Sequence, residues 1–382
     1  MPKRLPSLPV LALAVRRRIE RLIGREQDAF ADVPAGLFLS PSSRHFRDYE
    51  MAPLLLRFSG GARNDVVTWQ ETARAKLAEL AGYQREGQPP QHLREDSFQL
   101  ESGLMRRRIY LRARPGVDIP VHLIARKSQS APRAVMICLQ GTNTGAHLSW
   151  GEVKFPDDLE KRKRGYDIAV QAALRGYLAV AIEQSCFGER AERNIDPHSA
   201  APCVDATMHA LLLGRSLIGE RCSDVSSVIN WLVQNALGLN VDPGRIHVMG
   251  HSSGGAAALY ATALDERIGA VLACGCLGCI RETIGRRSED QGQEVIPGIL
   301  NWMEMADIVG LVSPRPFVTV AGDADHIWPA AGAAAVVAEA REIYAHQGAP
   351  ERIECVSAPG GHTFRPDASW DAFSRVLARQ QS

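Results

Sequence analysis

The sequence predicts an α/β protein, with a mainly parallel central sheet and helices on both faces over residues 105–382 and a mostly helical extension over residues 1–104. Three observations carry this. From Met105 onward, short apolar runs alternate with helical stretches, the mark of a parallel sheet covered on both faces. Before that point the chain reads as helix closing in a linker, Gln88-Pro89-Pro90. Finally, the apolar run Ile246–Met249 enters Gly250-His251-Ser252-Ser253-Gly254 and then the strong helix former Ala256–Ala263, giving strand, sharp turn and helix in succession.

The elements follow in order. Asn64-Asp65 offers an N-cap to a helix from Val66 to about Leu80, with Val67, Ala73, Leu77 and Leu80 expected inward and Gly82 as its stop. Arg108–Leu111 and Ile119–Ile124 flank Pro115-Gly116 and read as an antiparallel hairpin. Then come strand Ala134–Leu139, a helix from about Tyr166 to Leu174, strand Leu178–Ile182 and a long helical region from Val204 to about Asn235. Strands Ile246–Met249, Ile268–Cys274, Pro316–Val320 and Arg352–Val356 follow, with helices near Asn301–Val309, over Ala330–His346 and from Trp370. Sites in such sheets gather at the carboxyl ends of the strands.

The bulk properties exclude several classes. At 382 residues and 45% hydrophobic content the chain holds a substantial core. Lys+Arg 44 against Asp+Glu 43 gives a net charge of +1, which argues against a nucleic-acid partner and against an anionic membrane surface. Arg16-Arg17-Arg18 and Arg106-Arg107-Arg108 read as solvated faces or strand edges. The eight cysteines, several inside apolar runs such as Val135–Leu139, suit reduced thiols acting as small hydrophobes. Cys274-x-Cys276-x-x-Cys279 lacks a second Cys or His pair, so no metal is expected. Pro2-Lys3-Arg4 followed by Leu8–Val15 has the outline of a signal peptide, but prolines interrupt it and three arginines follow, so a cytoplasmic protein is expected. No stretch approaches the ~18 apolar residues of a membrane span.

The chemistry gathers at three strand ends. Gly250-x-Ser252-x-Gly254 is the nucleophile-elbow pattern, in which strand and helix backbones pass too closely for β-carbons beside the serine. The pattern is weak alone, because glycine and serine are common; its flanks give it weight. A serine hydroxyl needs a base to take its proton, and His362, in the glycine-rich loop Ala358–Phe364 after the last strand, is the candidate. The acidic loop Asp323-Ala324-Asp325 offers a carboxylate to orient the imidazole, and either aspartate also suits a turn or helix cap. One oxyanion donor would be the NH of Ser253 and another that of Thr142 or Asn143, from the loop Gln140–Gly145. Gln140, Trp150, Phe187 and Trp328 are candidates for pocket walls, as is Trp302, with an ordinary core place open to each aromatic.

From Met105 to its C-terminus the chain resembles the α/β-hydrolase superfamily, in its acetyl xylan esterase-like and dienelactone-hydrolase-like branch. The likeness rests on the elbow and on Arg175-Gly176-Tyr177, Cys186-Phe187-Gly188-Glu189-Arg190, Leu213-Gly214-Arg215, Gly219 with Asp224, Ile296-Pro297-Gly298 and Ser313-Pro314-Arg315-Pro316. The family pattern G-x-x-D-x-I-x-P falls on Gly322, Asp325, Ile327 and Pro329, which selects Asp325, and the chain order Ser252, Asp325, His362 is that of the family's triad. Two departures stand out: Gln140-Gly141 replaces the usual His-Gly, and Glu183-Gln184 replaces the usual Asp after the next strand. The resemblance implies a serine carboxylic-ester hydrolase that forms an acyl-enzyme without metal or organic cofactor. Its expected partner is a small or short-chain, acetyl-type ester, acetylated sugars included. An amidase or peptidase with the same triad is the alternative, and a hydrolase-fold binding protein without catalysis is a third. The sequence leaves open whether residues 1–104 cap the pocket or join copies into a homo-oligomer.

Overall fold

The computed structural model describes residues 36–60, 65–126, 133–193, 201–234, 237–286 and 291–381, and the chain divides after Asp48 into two units. The Leu8–Val15 run, Arg16–Arg18, Asn64 and Asn235 lie outside the described residues. Among the described residues no helix is long and apolar enough to cross a membrane.

Among the described residues nine strands form one sheet: β1 (Gln91–Gln99), β2 (Met105–Arg114), β3 (Val117–Ala125), β4 (Arg133–Leu139), β5 (Leu178–Ile182), β6 (Val241–His251), β7 (Ile268–Cys274), β8 (Phe317–Gly322) and β9 (Ile353–Ala358). Their order is β1-β2-β3-β5-β4-β6-β7-β8-β9, antiparallel from β1 to β5 and parallel from β5 to β9. The helices are α1 (Pro41–Glu50), α2 (Asp65–Ala81), α3 (Pro156–Lys163), α4 (Ile168–Leu174), α5 (Val204–Leu212), α6 (Leu217–Val233), α7 (Ser253–Leu264), α8 (Met305–Gly310), α9 (Ala330–His346) and α10 (Pro366–Gln381).

Alternation along the central strands sends side chains to two cores. Val135, Ile137 and Leu139 of β4 pack with α2, α6, α7 and α9, whereas Met136 and Cys138 face α4 and α10. The expected two-sided covering of a mainly parallel sheet is therefore present. In α2 the residues buried are Val66, Gln70, Ala73, Leu77 and Ala81, so Ala73 and Leu77 face inward as expected; Val67 is 58% exposed and Leu80 half-buried, their neighbours Val66 and Ala81 completing the stripe instead. Helix α2 meets α6 so closely that a β-carbon on Gly219 would lie 2.0 Å from the Ala81 carbonyl oxygen.

Three elements differ from the sequence expectation. Strand β1 lies in the segment that reads as helical extension and linker, and the position 104/105 falls in the turn joining β1 to β2. It has no apolar period, since as an edge strand it is held to β2 by backbone pairing and by ion pairs such as Arg107–Glu95 at 2.5 Å and Arg108–Asp96 at 2.9 Å. The long helical region is two helices, α5 and α6, split at Gly214 with φ +67° and restarted by Ser216, whose Oγ accepts from the Gly219 NH at 3.1 Å. Helix α3 has no counterpart among the expected elements, although Pro156 at its start, Asp157 and Asp158 in its first turn and Lys161–Lys163 in its last are the usual boundary marks.

The strand order places the site. From β4 the chain moves to β5 on one side, then returns past β4 to β6 on the other, so the loops leaving β4 and β6 diverge and leave a crevice between them. Leu139 pairs with Gly250 in register, which sets Gln140-Gly141 beside His251-Ser252.

Candidate active site

Ser252 occupies the joint between β6 and α7 with φ +57° and ψ −130°, a conformation that an L-residue adopts only under constraint. The constraint is visible. A β-carbon on Gly250 would sit 2.2 Å from the Gly254 carbonyl oxygen, and one on Gly254 would sit 2.2 Å from that of Leu139. The Ser252 NH donates to the Cys274 carbonyl at 2.8 Å, tying the turn to the end of β7. The result is a serine hydroxyl held above the sheet at the start of a helix, whose first NH groups are unsatisfied within the helix itself.

The other expected residues converge on it. His362 Nε2 lies 2.9 Å from Ser252 Oγ, and His362 Nδ1 lies 2.8 Å from Asp325 Oδ2. Asp325 is buried; its second oxygen accepts from the NH groups of Ile327 at 2.8 Å and Trp328 at 2.9 Å. Burial alone would raise the Asp325 carboxyl, but the hydrogen bond from His362, the two backbone donors and the imidazole charge outweigh it and hold the group below its ordinary value. The neighbouring Asp323 is exposed and serves the backbone instead, its Oδ1 accepting from the Gly360 NH at 2.7 Å and so pinning the loop that carries His362. Backbone bonds from Asp323 to Ala358 at 2.9 Å and from Ala324 to Gly360 at 3.1 Å complete that clasp. A second imidazole, His251, lies against His362 with ring centroids 4.8 Å apart and the rings tilted by 39°. Burial, with His362 beside it, pushes its pKa down to about 3, so it stays neutral.

The loop after β4 is braced from all sides. Gly141 packs on the elbow so tightly that a β-carbon there would lie 2.7 Å from the His251 carbonyl oxygen and 3.1 Å from Ser252 Cβ. Thr142 Oγ1 is 3.1 Å from Ser253 Oγ and accepts from Gln293 Nε2 at 2.8 Å. Asn143 donates to Gln140 Oε1 at 3.2 Å and accepts from the Gly145 NH at 2.8 Å. The departures from the family pattern supply much of this bracing. Gln140 is buried, donating to Ser149 Oγ at 2.7 Å and the Tyr166 carbonyl at 2.9 Å; Gln184 donates to the Gln140 carbonyl, and Glu183 accepts from the Ala146 NH at 2.8 Å. Below the loop, buried Asp158 accepts from Thr144 at 2.6 Å and pairs with His147 at 2.8 Å.

A cavity of about 250 Å³ opens over Ser252 and His362. Gly141, Thr142 and Asn143 form one wall, while Glu160, Lys161, Arg164 and Tyr166, from α3 and its exit, form another. The expected wall residues Gln140, Trp150, Phe187 and Trp328 do not line it. Gln140 acts beneath the loop as described. Trp150 packs on His122, with ring centroids 4.2 Å apart, and lines separate cavities toward β1 and β2. Phe187 is buried with Cys186, Cys203 and Leu217, and Trp328 is buried behind Asp325. Trp302, likewise outside this cavity, packs against the main core beneath the Lys76 ammonium. The wall of Glu160, Lys161, Arg164 and Tyr166 escapes a reading of the sequence because it comes from an unexpected helix and its exit loop, whereas the Thr142-Asn143 wall belongs to the loop the sequence already marks. Among the described residues no three His, Cys, Asp or Glu side chains group to hold a metal ion, and Cys274 and Cys276 are buried thiols.

Comparison with known proteins agrees with this architecture. The Bacillus subtilis protein YtaP, named as a hydrolase, is 27% identical over 192 residues, covering 49% of this chain; the match spans 60% of that relative's length. A solved Bacteroides fragilis structure, named as an acetyl xylan esterase, superposes with a TM-score of 0.67 at 19% identity, covering 86% of this chain and 84% of its own. A glucuronoyl esterase from Solibacter usitatus gives a TM-score of 0.62 at 15% identity over 86% of this chain and 97% of its own. At these identities the structures show a shared fold. The model of the Abhydrolase family matches residues 49–355, from the start of the second unit into β9, and the chain therefore belongs to that family with the α/β-hydrolase fold.

Proposed function

We propose that the protein is a serine carboxylic-ester hydrolase acting through an acyl-enzyme on short-chain, acetyl-type esters. The observation that carries this is the unbroken chain from Ser252 Oγ to His362 Nε2 at 2.9 Å and from His362 Nδ1 to Asp325 Oδ2 at 2.8 Å. In the reaction, Ser252 Oγ attacks the ester carbonyl while His362 Nε2 takes its proton; the imidazolium then protonates the leaving alkoxide. Asp325 keeps Nδ1 protonated and stabilises the positive ring. Water, deprotonated by the same imidazole, releases the acid from Ser252. The oxyanion of each tetrahedral intermediate is received by the NH of Ser253 together with that of Thr142 or Asn143, the loop held against the elbow by Gly141.

A cavity of about 250 Å³ favours a short acyl group, and the names of the similar structures support ester hydrolysis as the reaction class. The test is turnover of p-nitrophenyl acetate against the matched p-nitroacetanilide. Rapid ester hydrolysis that is lost in Ser252→Ala, with the anilide far slower, is the expected result. Ester turnover retained by Ser252→Ala refutes the assignment.

A further inference from the structure

The end and cap of helix α3 carry four consecutive cations, Lys161-Arg162-Lys163-Arg164, of which Lys161 and Arg164 line the cavity over Ser252. Cations in a last helical turn are ordinary, because they complement the helix dipole. Their pairing is uneven. Glu160 takes both Arg164, at 3.3 Å, and Lys163, at 3.8 Å, and Glu101 takes Arg162 at 3.4 Å. Among the described residues Lys161 has no carboxylate within 4.0 Å, and it lines the same cavity as Ser252 and His362. Glu160 is the one carboxylate among the described residues that lines that cavity, and it is already shared between two cations. Asp325 is buried and bonded to His362. A half-buried lysine thus lines the reaction cavity with no carboxylate of the described residues paired to it, an arrangement that a neutral alkyl ester leaves unused.

We infer that Lys161 selects esters that carry a second, free carboxylate a few bonds from the scissile carbonyl. This rests on the esterase reading above and specifies its substrate class. The carboxylate can belong to the acyl half, as in the monoester of a dicarboxylic acid, or to the alcohol half, as in an acylated hydroxy acid. In either case the ammonium supplies one charge-assisted contact.

The experiment compares kcat/KM within matched pairs, at low and at high salt. Mono-p-nitrophenyl glutarate against p-nitrophenyl pentanoate probes the acyl half; p-acetoxybenzoate against p-acetoxybenzamide probes the alcohol half. The wild type is expected to favour the anionic member of at least one pair, with the preference shrinking as salt rises. Lys161→Gln should lower that anionic-to-neutral ratio by roughly tenfold, the effect of one charge a few ångströms away in a partly solvated cavity. Lys161→Glu should invert it. Lys163→Gln, a change at a 73% exposed side chain of the same helix, should leave the ratio where it was. A wild-type ratio near one in both pairs, or a ratio in Lys161→Gln equal to the wild type's, overturns the inference while leaving the esterase reading intact. Absence of turnover on every ester, neutral ones included, removes that reading and the inference with it.

Discussion

Asp325→Asn is the substitution whose effect the geometry specifies most tightly. One oxygen of Asp325 accepts from two backbone donors, Ile327 at 2.8 Å and Trp328 at 2.9 Å, and the other accepts from His362 Nδ1 at 2.8 Å. An asparagine side chain must place its single oxygen toward the two NH groups, because its amide nitrogen there would face donors in a buried position. The amide nitrogen is then turned toward Nδ1 as a donor, which forces the proton of neutral imidazole onto Nε2. That nitrogen, 2.9 Å from Ser252 Oγ, can no longer accept the serine proton. Shape and both backbone bonds survive, so the fold should too. A tautomer error of this kind in a Ser-His-Asp triad lowers kcat by about ten-thousand-fold, or ~5 kcal/mol in the barrier. The assay is kcat for p-nitrophenyl acetate alongside near-ultraviolet circular dichroism. A native spectrum with kcat within tenfold of wild type would refute the role assigned to Asp325.

Further outcomes follow from other contacts. Gly141→Ala places a β-carbon 2.7 Å from the His251 carbonyl oxygen, pushing the donor loop off the elbow; kcat should fall by roughly a hundredfold or more with a smaller change in KM, as for loss of one oxyanion donor. Burial raises the pKa of Glu183 to about 7, against the NH groups of Ala146 and Glu189 that favour its charged form. Because the folded-state pKa lies above the unfolded one, Glu183 erodes stability as pH rises from the unfolded value toward 7, and the loss is complete above that. The unfolding free energy of the wild type, measured relative to Glu183→Gln, should therefore drop by on the order of 2 kcal/mol between pH 5 and pH 8; a flat difference would contradict this. Arg315 reaches five carbonyls, those of Val312, Asp265, Ile268, Thr262 and Leu311, at 2.8 to 3.1 Å. Its replacement by alanine strands several of them in the interior and should cost on the order of 3 kcal/mol in denaturant unfolding.

The parts of this protein that are legible in its sequence are those where backbone geometry dictates residue type. The elbow needs glycine at 250 and 254 because carbonyls lie 2.2 Å from where their β-carbons would be, so the motif marks its own structure. Helix α9 is legible over Ala330–His346 because it has the length and composition of a helix with a clear start after Pro329. Strand β1 is not: an edge strand lying along β2 and joined to it by ion pairs needs no apolar alternation. The pocket walls are hidden for another reason. Bulk and aromaticity suggest Trp150, Phe187 and Trp328, but those residues satisfy interior packing, while the cavity wall facing the Thr142-Asn143 loop is made by Lys161, Arg164 and Tyr166, whose placement depends on where α3 docks. The two departures from the family pattern, at Gln140 and at Glu183-Gln184, are visible as anomalies. Their shared purpose, bracing one loop from beneath, emerges only when β4 and β5 are seen side by side.

The central claim is that Ser252 carries the acyl group, and mass spectrometry tests it most directly. The protein is mixed with p-nitrophenyl acetate, quenched in acid within the first turnovers and digested. The account predicts one acetyl adduct, on the peptide containing Ser252 and on that residue, and none in Ser252→Ala. Continued hydrolysis with the adduct on another residue, or with no adduct under conditions that accumulate acyl-enzyme, would contradict it.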